Sequence, residues 1–229
     1  RLEKIERRAK YILFHFERDV LLSHLGMTGS WRNQIEVTSL GRHDHIVMRF
    51  EAGEPLVYND PRRFGIFDIV PIKSLNSSSW LRHLGPEPLS ADLSVESLKS
   101  RARGKKTTVK AFLMDQKVVV GVGNIYASEA LFRARVRPTR QVSRVSIQEW
   151  GAIVEAIQSV LTEAIRAGGT TLQDYRQVSG EAGGFQKRLF VYDRSGEACG
   201  RCSTSRKKNL IRTKKIVGRS TFWCSICQK

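Results

Sequence analysis

Cysteine is absent from the first 198 residues of this 229-residue chain, and all four cysteines lie in the last 31. Acidic residues are absent from that same stretch, since Cys199 to Lys229 contain nine Lys or Arg and no Asp or Glu. No apolar run approaches the ~20 residues that a membrane-spanning helix needs, and nothing at the N-terminus is typical of a signal peptide. These absences exclude a membrane span and a disulfide framework distributed along the chain.

The four cysteines form two C-x-x-C pairs, Cys199/Cys202 and Cys224/Cys227, separated by 21 residues. Thiolates two residues apart on a tight turn can face one ion, so two such turns at the base of a hairpin complete a tetrahedral Zn²⁺ site. The alternative is two disulfides in a secreted domain, which the cysteine-free remainder of the chain disfavours. The spacing therefore predicts one structural Zn²⁺ bracing a basic hairpin.

Positive charge dominates the composition, with 39 Lys and Arg against 22 Asp and Glu, a formal net charge of +17 and a pI of about 10.2. This balance favours nucleic acid as the partner, with an anionic surface such as a membrane as the weaker choice. Hydrophobic residues make up 41% of the chain, which is enough for a core. Thiolates available for zinc fit a reducing cytoplasm, which is the predicted location.

The N-terminal third predicts antiparallel β structure. β-rich runs bounded by turns predict strands near residues 10–16, 20–25, 45–50, 55–58 and 64–70. Several short strands imply a sandwich or barrel. Because Arg1–Lys4 lead almost directly into a strand, and so few strands would leave an open edge, we expect this first domain to lack an N-terminal part.

Helical patterns follow a linker-like stretch at 76–92, so the predicted fold class is α+β and multidomain. Three helices are predicted near residues 94–103, 108–115 and 125–133, and Asn124 is the predicted cap of the third. A fourth helix is predicted to begin at a Ser146…Glu149 capping box and to end at Gly168-Gly169. One apolar stripe marks the last helix, formed by Trp150, Ile153, Val154, Ile157, Leu161 and Ile165. Residues 190–192 are predicted to begin the zinc hairpin.

Two stretches of the helical region have a functional and a structural interpretation. Residues 121–129 join two helices through glycines, so backbone N–H groups beside Asn124 can bind a phosphate. Ordinary packing at a helix–turn–helix corner explains the same glycines and is favoured on spacing alone. Five cations in residues 101–110 are a solvated basic face or part of a phosphate track, and the neighbouring corner and basic hairpin favour the track.

The N-terminal region contains three further candidates. Residues 60–65 place two arginines and an aromatic at a loop tip, and Met27 lies in a glycine loop, so together they can form an apolar wedge for a base stack. A turn with a buried Phe and solvated Arg is the favoured interpretation from the residues alone. Lys10 on its own predicts only a surface residue. His43-Asp44-His45 suggests a metal pair, but a third ligand is missing nearby, which favours a phosphate or backbone contact.

Together these stretches resemble formamidopyrimidine-DNA glycosylase, the bacterial base-excision enzyme that removes oxidised purines and nicks the strand. The matching stretches keep the family order and are Arg8-Ala-Lys-Tyr11, His24-Leu-Gly-Met-Thr-Gly-Ser30, Asp60-Pro-Arg-Arg-Phe-Gly65, His83-Leu-Gly-Pro-Glu-Pro-Leu89, Gly121 to Glu129, Gly169-Thr-Thr-Leu172, Arg219-Ser-Thr-Phe-Trp223 and the four cysteines. The second and third are more similar to this enzyme than to endonuclease VIII, which favours oxidised pyrimidines.

The resemblance implies three domains: a partial β-sandwich catalytic domain at 1–82, a helix–two-turns–helix DNA-binding domain at 83–188 and a zinc-finger hairpin at 189–229. It implies a monomer that binds double-stranded DNA containing an oxidised purine or abasic site in the cleft between domains. DNA contacts by position are His24, Met27, His43, Arg62, Arg63, Phe64, Lys105 and Asn124. Lys10 and Arg219 match residues with catalytic or phosphate roles, and Ser179 lies in the loop that closes over the flipped lesion.

Two features depart from the family pattern. The 21-residue zinc loop is slightly longer than expected and carries extra cations, which suggests further DNA contact. The family's Pro-Glu-Leu-Pro-Glu-Val-Glu start, whose proline amine attacks the sugar C1′ and whose Glu donates a proton, does not occur in this sequence. The chain as given is therefore expected to be catalytically incomplete. The alternatives are a non-catalytic zinc protein that binds damaged DNA and, less favoured, a zinc-ribbon RNA or ribosome binder.

Overall fold

The computed structural model describes residues 1–33, 40–171, 178–179 and 181–229. The chain forms two compact units, one of Arg1–Arg82 with Ala164–Lys187 and one of His83–Glu163 with Arg188–Lys229. The boundaries of the three domains given above stay a prediction. None of the helices in the described residues is long and apolar enough to cross a membrane.

Two antiparallel sheets build the first unit. The four-stranded sheet has the order β1-β2-β3-β7 and the three-stranded sheet the order β4-β6-β5. The strands are β1 Leu2–Arg8, β2 Tyr11–Phe16, β3 Asp19–His24, β4 Ser30–Asn33, β5 Asp44–Met48, β6 Leu56–Asn59 and β7 Ile66–Pro71. The five strands predicted from β-rich runs are confirmed. β1 and β4 were not predicted, because β1 is mostly charged and β4 is only four residues long.

Aromatic rings form the core of this sandwich. Trp31 from β4 and Tyr58 from β6 are buried against Phe14 of β2, with ring centroids 5.6 Å apart for Phe14–Trp31 and 5.3 Å for Trp31–Tyr58. Phe67 of β7 packs edge-on against Tyr58 at 4.6 Å. Residues from both sheets therefore interdigitate, as the apolar inner faces of a sandwich require.

The second unit contains three helices and most of a fourth. They are α1 Val95–Ala102, α2 Val109–Leu113, α3 Asn124–Arg133 and α4 Ile147–Arg166. Ser94 and Thr108 cap the first two helices, since their hydroxyls accept hydrogen bonds from the amides of Ser97 and Ala111. The predicted capping box is confirmed: Ser146 N–H donates to the Glu149 carboxylate at 2.8 Å, and Glu149 N–H donates to Ser146 Oγ at 3.2 Å.

Helix α4 buries most of its predicted apolar stripe, including Trp150, Ile153 and Ile157. Ile165 departs from it, because 65% of this residue is exposed at the last turn of the helix. The helix ends as predicted at Gly168 and Gly169, whose φ values of 69° and 90° are in the left-handed region that glycine adopts without strain.

The C-terminal hairpin pairs β8 Ile211–Ile216 with β9 Arg219–Cys224 in antiparallel register, from Ile211↔Cys224 to Ile216↔Arg219. Residues 217–218 form the two-residue turn, with φ of 46° and 71°. The prediction that residues 190–192 begin the hairpin was wrong, because they form no strand. They pack beside it instead, with the Tyr192 and Phe222 rings 5.0 Å apart.

Candidate nucleic-acid interface and metal centre

The four cysteines converge at the base of the hairpin, where their Sγ atoms all lie within 4.8 Å of one another. The Cys199–Cys227 and Cys202–Cys224 sulfur distances are 3.8 Å and 3.5 Å, and no disulfide joins them. A tetrahedral ion with Zn–S bonds of ~2.3 Å separates its sulfurs by ~3.8 Å. The cluster therefore has the size and donor set of a four-thiolate metal site.

Neighbouring side chains hold both cysteine turns in place. Asn209 Nδ2 donates to the Cys202 carbonyl at 3.0 Å, and buried Gln228 accepts from the Cys224 amide at 2.9 Å. Arg201 lies over the Phe132 ring, 4.1 Å from its centroid, and donates to the Phe132 carbonyl at 2.8 Å. Because Phe132 belongs to α3, the first cysteine turn is anchored to the last turn of that helix.

The prediction that Asn124 caps α3 was wrong. The N-cap residue is Gly123, and no side chain among the described residues caps this helix. The Asn124 amide instead joins two other side chains. Its Oδ1 accepts from Lys110 Nζ at 2.6 Å and its Nδ2 donates to the Tyr192 hydroxyl at 3.2 Å. The side chain was predicted to bond forward to its own helix, but buried Lys110 lies within reach and is a stronger, charged partner.

Lys110 connects this corner to the C-terminal hairpin. Its ammonium also donates to Thr221 Oγ1 at 2.9 Å and to the Ser220 carbonyl at 3.1 Å, both on β9. Burial, and then the positive charge of Arg219, lower the pKa of Lys110 to about 8. Arg219 itself is exposed at the first position of β9, next to these partners.

The five cations of residues 101–110, which were predicted to form part of a phosphate track, separate into two groups. Lys110 is only 1% exposed and points inward, whereas Arg101, Arg103, Lys105 and Lys106 are exposed. Lys105 lies 4.0 Å from the Asp115 carboxylate and 5.8 Å from the Phe112 ring centroid, so its stem packs on α2. The exposed cations remain available to a polyanion, while Lys110 organises the interior.

The loops around Met27 and Phe64 present apolar side chains to solvent. Met27 is 68% and Phe64 54% exposed, and the Arg62 guanidinium lies 5.3 Å from the Phe64 ring centroid. The interpretation favoured by the residues alone, a buried Phe in an ordinary turn, was wrong. Arg63, also exposed, has a φ of 53°, an uncommon conformation for a non-glycine residue.

Lys10 lies in a concavity of about 350 Å³ in the first unit. Its lining includes Arg7, Tyr11, His24 and Met27. His24 Nδ1 accepts from the Gly26 amide at 3.0 Å, and burial, followed by the charge of Lys10, holds the pKa of His24 below its usual value. His24 therefore presents an Nε2–H donor at neutral pH, beside a lysine and an exposed methionine.

The His43-Asp44-His45 stretch does not form a metal pair. The Asp44 carboxylate accepts two hydrogen bonds from Arg32, at 2.7 Å and 2.6 Å, and His45 Nε2 lies 3.0 Å from the Asp60 carbonyl. In the described part of the chain the cysteine cluster is the one group with metal-ligand geometry. His43 is half-buried, and its carbonyl accepts from the Asp60 amide at 3.0 Å.

Ser179 is exposed, while residues 172–177 and 180 of the predicted lesion loop lie outside the described residues. Its neighbour Val178 accepts a hydrogen bond from the Asn33 amide at 3.4 Å. This contact ties the described part of the loop to the end of β4.

Comparison with known proteins relates this architecture to one family. A family profile described as the Formamidopyrimidine-DNA glycosylase N-terminal domain matches residues 1–67, and one described as the Formamidopyrimidine-DNA glycosylase H2TH domain matches residues 84–176. A formamidopyrimidine-DNA glycosylase from Bdellovibrio bacteriovorus is 47% identical over 231 residues, covering 100% of this chain and 82% of the relative. The chain belongs to the formamidopyrimidine-DNA glycosylase family.

Solved structures of this family share the fold. The MutM (FPG) protein from Thermus thermophilus superposes with a TM-score of 0.89 at 38% identity, covering 100% of this chain and 83% of that one. Lactococcus lactis Fpg in complex with an abasic site containing DNA gives a TM-score of 0.90 at 30% identity, covering 100% and 82%. The N-terminal β-sandwich, H2TH helices and C-terminal hairpin are therefore those of a DNA glycosylase of base excision repair.

The structure reveals buried polar residues of this glycosylase that were not singled out from its sequence. Glu129 on α3 is 0% exposed and accepts hydrogen bonds from three consecutive amides, those of Phe190, Val191 and Tyr192, at 2.8–2.9 Å. Asp60 holds the turn that carries Arg62. The available signal for Glu129 was an acidic residue directly before the apolar run Ala130-Leu131-Phe132. For Asp60 the signal was its position directly before a proline turn.

Proposed function

We propose that this chain recognises oxidised purines, 8-oxoguanine and formamidopyrimidines, and abasic sites in double-stranded DNA by everting the damaged nucleotide. The observation that carries the proposal is the exposed pair Met27 and Phe64 with Arg62 stacked on Phe64. An everted base leaves a gap in the stack that apolar side chains can fill, while a guanidinium bonds the orphaned partner. The Lactococcus lactis Fpg complexes with Fapy-dG containing DNA and with abasic site containing DNA support this substrate class.

The remaining interface residues take phosphate-binding roles in this proposal. Asn124 and Arg219 contact phosphates from one continuous hydrogen-bonded corner, supported by Lys110 between them. Further contacts, each offering a cation or an N–H donor, come from His24, His43, Arg63 and Lys105. Lys10 acts at the reacting nucleotide, and Ser179 belongs to the loop that covers it. In this proposal the chain acts as a monomer. Size-exclusion chromatography at micromolar concentration tests this, and elution at the volume of a dimer would contradict it.

The metal in this proposal is a single structural Zn²⁺ held by the four cysteines. Support comes from the all-sulfur donor set and from sulfur spacings that match Zn–S bonds of tetrahedral geometry. Four thiolates leave no open coordination position, so the ion stabilises the hairpin and takes no part in base removal.

Base removal and strand cleavage require a nucleophile at the sugar C1′. A neutral amine attacks this carbon, the base leaves, and the iminium that forms acidifies the C2′ proton, so β- and then δ-elimination release both phosphates. The resemblance assigns this amine to a Pro-Glu-Leu-Pro-Glu start. That motif does not occur among the 229 residues. We propose that Lys10 and Arg219 assist elimination electrostatically, while the other residues named above supply lesion recognition.

Borohydride trapping on duplexes containing 8-oxoguanine or an abasic site tests this function. We expect the 229 residues to bind either damaged duplex more tightly than an undamaged one, and a covalent adduct to form when a Pro-Glu-Leu-Pro-Glu-Val-Glu start is fused to them. No adduct from the fused chain would favour the second candidate, a non-catalytic protein that binds damaged DNA. Equal affinity for damaged and undamaged duplexes would refute both.

A further inference from the structure

We propose that Asp60 is a positioning residue that joins the Met27 loop (residues 26–29) and the Arg62 loop (residues 60–65) into one preorganised wedge. The proposal rests on the function proposed above and adds how the wedge is kept ready for insertion. The two loops are more than 30 residues apart in sequence, yet both bond to the same carboxylate.

The Asp60 carboxylate is buried, with 1% of the residue exposed, and accepts four hydrogen bonds. Thr28 Oγ1 donates to Oδ1 at 2.6 Å, which holds the Met27 loop. The amides of Arg62 and Gly65 donate at 3.3 Å and 2.8 Å, which holds the second loop. The Tyr58 hydroxyl donates to Oδ2 at 3.2 Å from the core of the sandwich. Three of these bonds thereby join both wedge loops to one side chain, and they remain when the fourth, from Tyr58, is absent.

Burial opposes ionisation of this carboxyl, but the hydrogen bonds from Thr28, Gly65, Tyr58 and Arg62 hold the pKa of Asp60 below its usual range. The group is an anion at neutral pH, and a hydrogen bond to an anion is stronger than one between neutral groups. Loss of one hydrogen bond leaves the buried charge less well paired, so each bond opposes movement of the group that donates it.

The backbones of the two loops also touch. A Cβ on Gly26, whose φ is +64°, would lie 2.5 Å from the carbonyl carbon and oxygen of Phe64. A Cβ on Gly65 would lie 1.9 Å from the Tyr58 hydroxyl. Glycine at position 26 therefore lets the two loops pack directly on each other, and glycine at position 65 leaves room for the Tyr58 hydroxyl. Met27 and Phe64 are consequently presented as a single surface.

Rigid presentation lowers the entropy lost when the wedge enters the gap left by an everted nucleotide. Removal of the Thr28 hydroxyl releases the Met27 loop from the Asp60 carboxylate, while the amides of Arg62 and Gly65 stay bonded to it. The effect belongs to binding of gapped or damaged DNA, because an undamaged duplex offers no space for the wedge. Affinity for undamaged duplex depends on phosphate contacts and stays unchanged.

The test uses two variants that each remove one hydrogen bond to the same carboxylate. Thr28→Val removes the bond from a wedge loop, and Tyr58→Phe removes the bond from the core. The probe is a duplex with a tetrahydrofuran abasic analogue and 2-aminopurine opposite it, compared with an undamaged duplex at the same salt. We expect Thr28→Val to lower the preference for the abasic duplex about tenfold and to reduce the 2-aminopurine response, since a bond to a buried charge is lost.

We expect Tyr58→Phe to keep the wild-type preference and Thr28→Ser, which retains the hydroxyl, to restore it. Equal preferences for Thr28→Val and Tyr58→Phe would overturn the role of Asp60. Thr28→Ala, which lacks the hydroxyl without adding bulk, gives the same comparison if the valine variant is not folded. Failure of the proposed function is distinguishable, because the wild-type chain would then show no preference for the abasic duplex.

Discussion

Charged side chains in the described part of the chain are buried among hydrogen-bond partners, and they include Asp60, Lys110 and Glu129. Each joins segments that are distant in sequence, as when Lys110 bonds to Thr221 across 111 positions. A buried polar group of this kind is tolerated only when its hydrogen bonds are made, so these residues fix the geometry of the exposed ones beside them. Asn124, Arg219 and the wedge residues depend on them for their positions.

Lys110 makes the free energy of unfolding depend on pH in the alkaline range. Its folded-state pKa of about 8 lies below the ~10.4 of lysine in an unfolded chain. The unfolded chain binds more protons between these values, so the contribution of Lys110 is a constant penalty below about pH 8 and becomes more favourable as the pH rises toward ~10. We expect the unfolding free energy of the wild type relative to Lys110→Met to increase by about 2–3 kcal/mol over this window. Urea unfolding at several pH values measures it, and a difference that does not change with pH would contradict it.

Replacement of Glu129 by the nearly isosteric Gln is expected to destabilise the protein. Glu129→Gln turns an NH₂ group toward amides that are themselves donors, so at least one of the three bonds is lost in a buried site. We expect a loss of about 2 kcal/mol in chemical denaturation. The matched control is Glu155→Gln on the exposed face of α4, for which we expect a change within about 0.5 kcal/mol. Equal losses for the two variants would disprove the bonding role of Glu129.

At the scale of elements, we expect the stability of the hairpin to depend on the proposed metal site more than on its own strands. β8 is almost entirely exposed, with burial confined to Ile211 and part of Ile216, and a two-stranded sheet has little stability alone. Packing of Phe222 on Tyr192 and of Arg201 on Phe132 adds contact at the base. The proposed metal ion, held by the four cysteines, would crosslink the base of this module.

Cys224→Ser tests that dependence. Cys224 is fully buried in the cluster, so its loss removes a ligand and exposes the base of the hairpin. We expect bound zinc to fall well below one per chain, and amides of residues 211–224 to lose protection from hydrogen exchange. Amides in α4 keep their protection, which serves as the internal control. Zinc at wild-type stoichiometry in the variant would refute the assignment.

At the scale of the whole molecule, the net charge of +17 makes affinity for DNA strongly dependent on salt. Arg219→Ala removes one proposed phosphate contact, so we expect weaker binding and a salt slope reduced by about 0.9 in log–log form. Lys73→Ala removes an exposed cation that has no role in the proposal and provides the control. A slope for Arg219→Ala equal to that of the wild type would count against a phosphate role.

Local chemistry made much of the fold predictable. The capping box at Ser146 and the glycine pair at Gly168 mark helix α4 because caps and left-handed glycines act within a few residues. Predictions failed where a distant partner intervened. Asn124 looks like a cap until Lys110 is seen beside it, and Phe64 looks like core until the sandwich is seen to be filled by other rings.

The sequence by itself determined which cysteines could hold a metal ion, the basic character and the family, because spacing, composition and motif order are properties of the chain alone. Only the tertiary structure decided which charges face inward. Whether Lys110 joins a basic face or organises a corner depends on side chains more than 100 positions away, and burial is a property of the folded surface. The tertiary structure likewise decided that Thr28 and Gly65 donate to the same Asp60 carboxylate. It also decided that Met27 and Phe64 are both exposed.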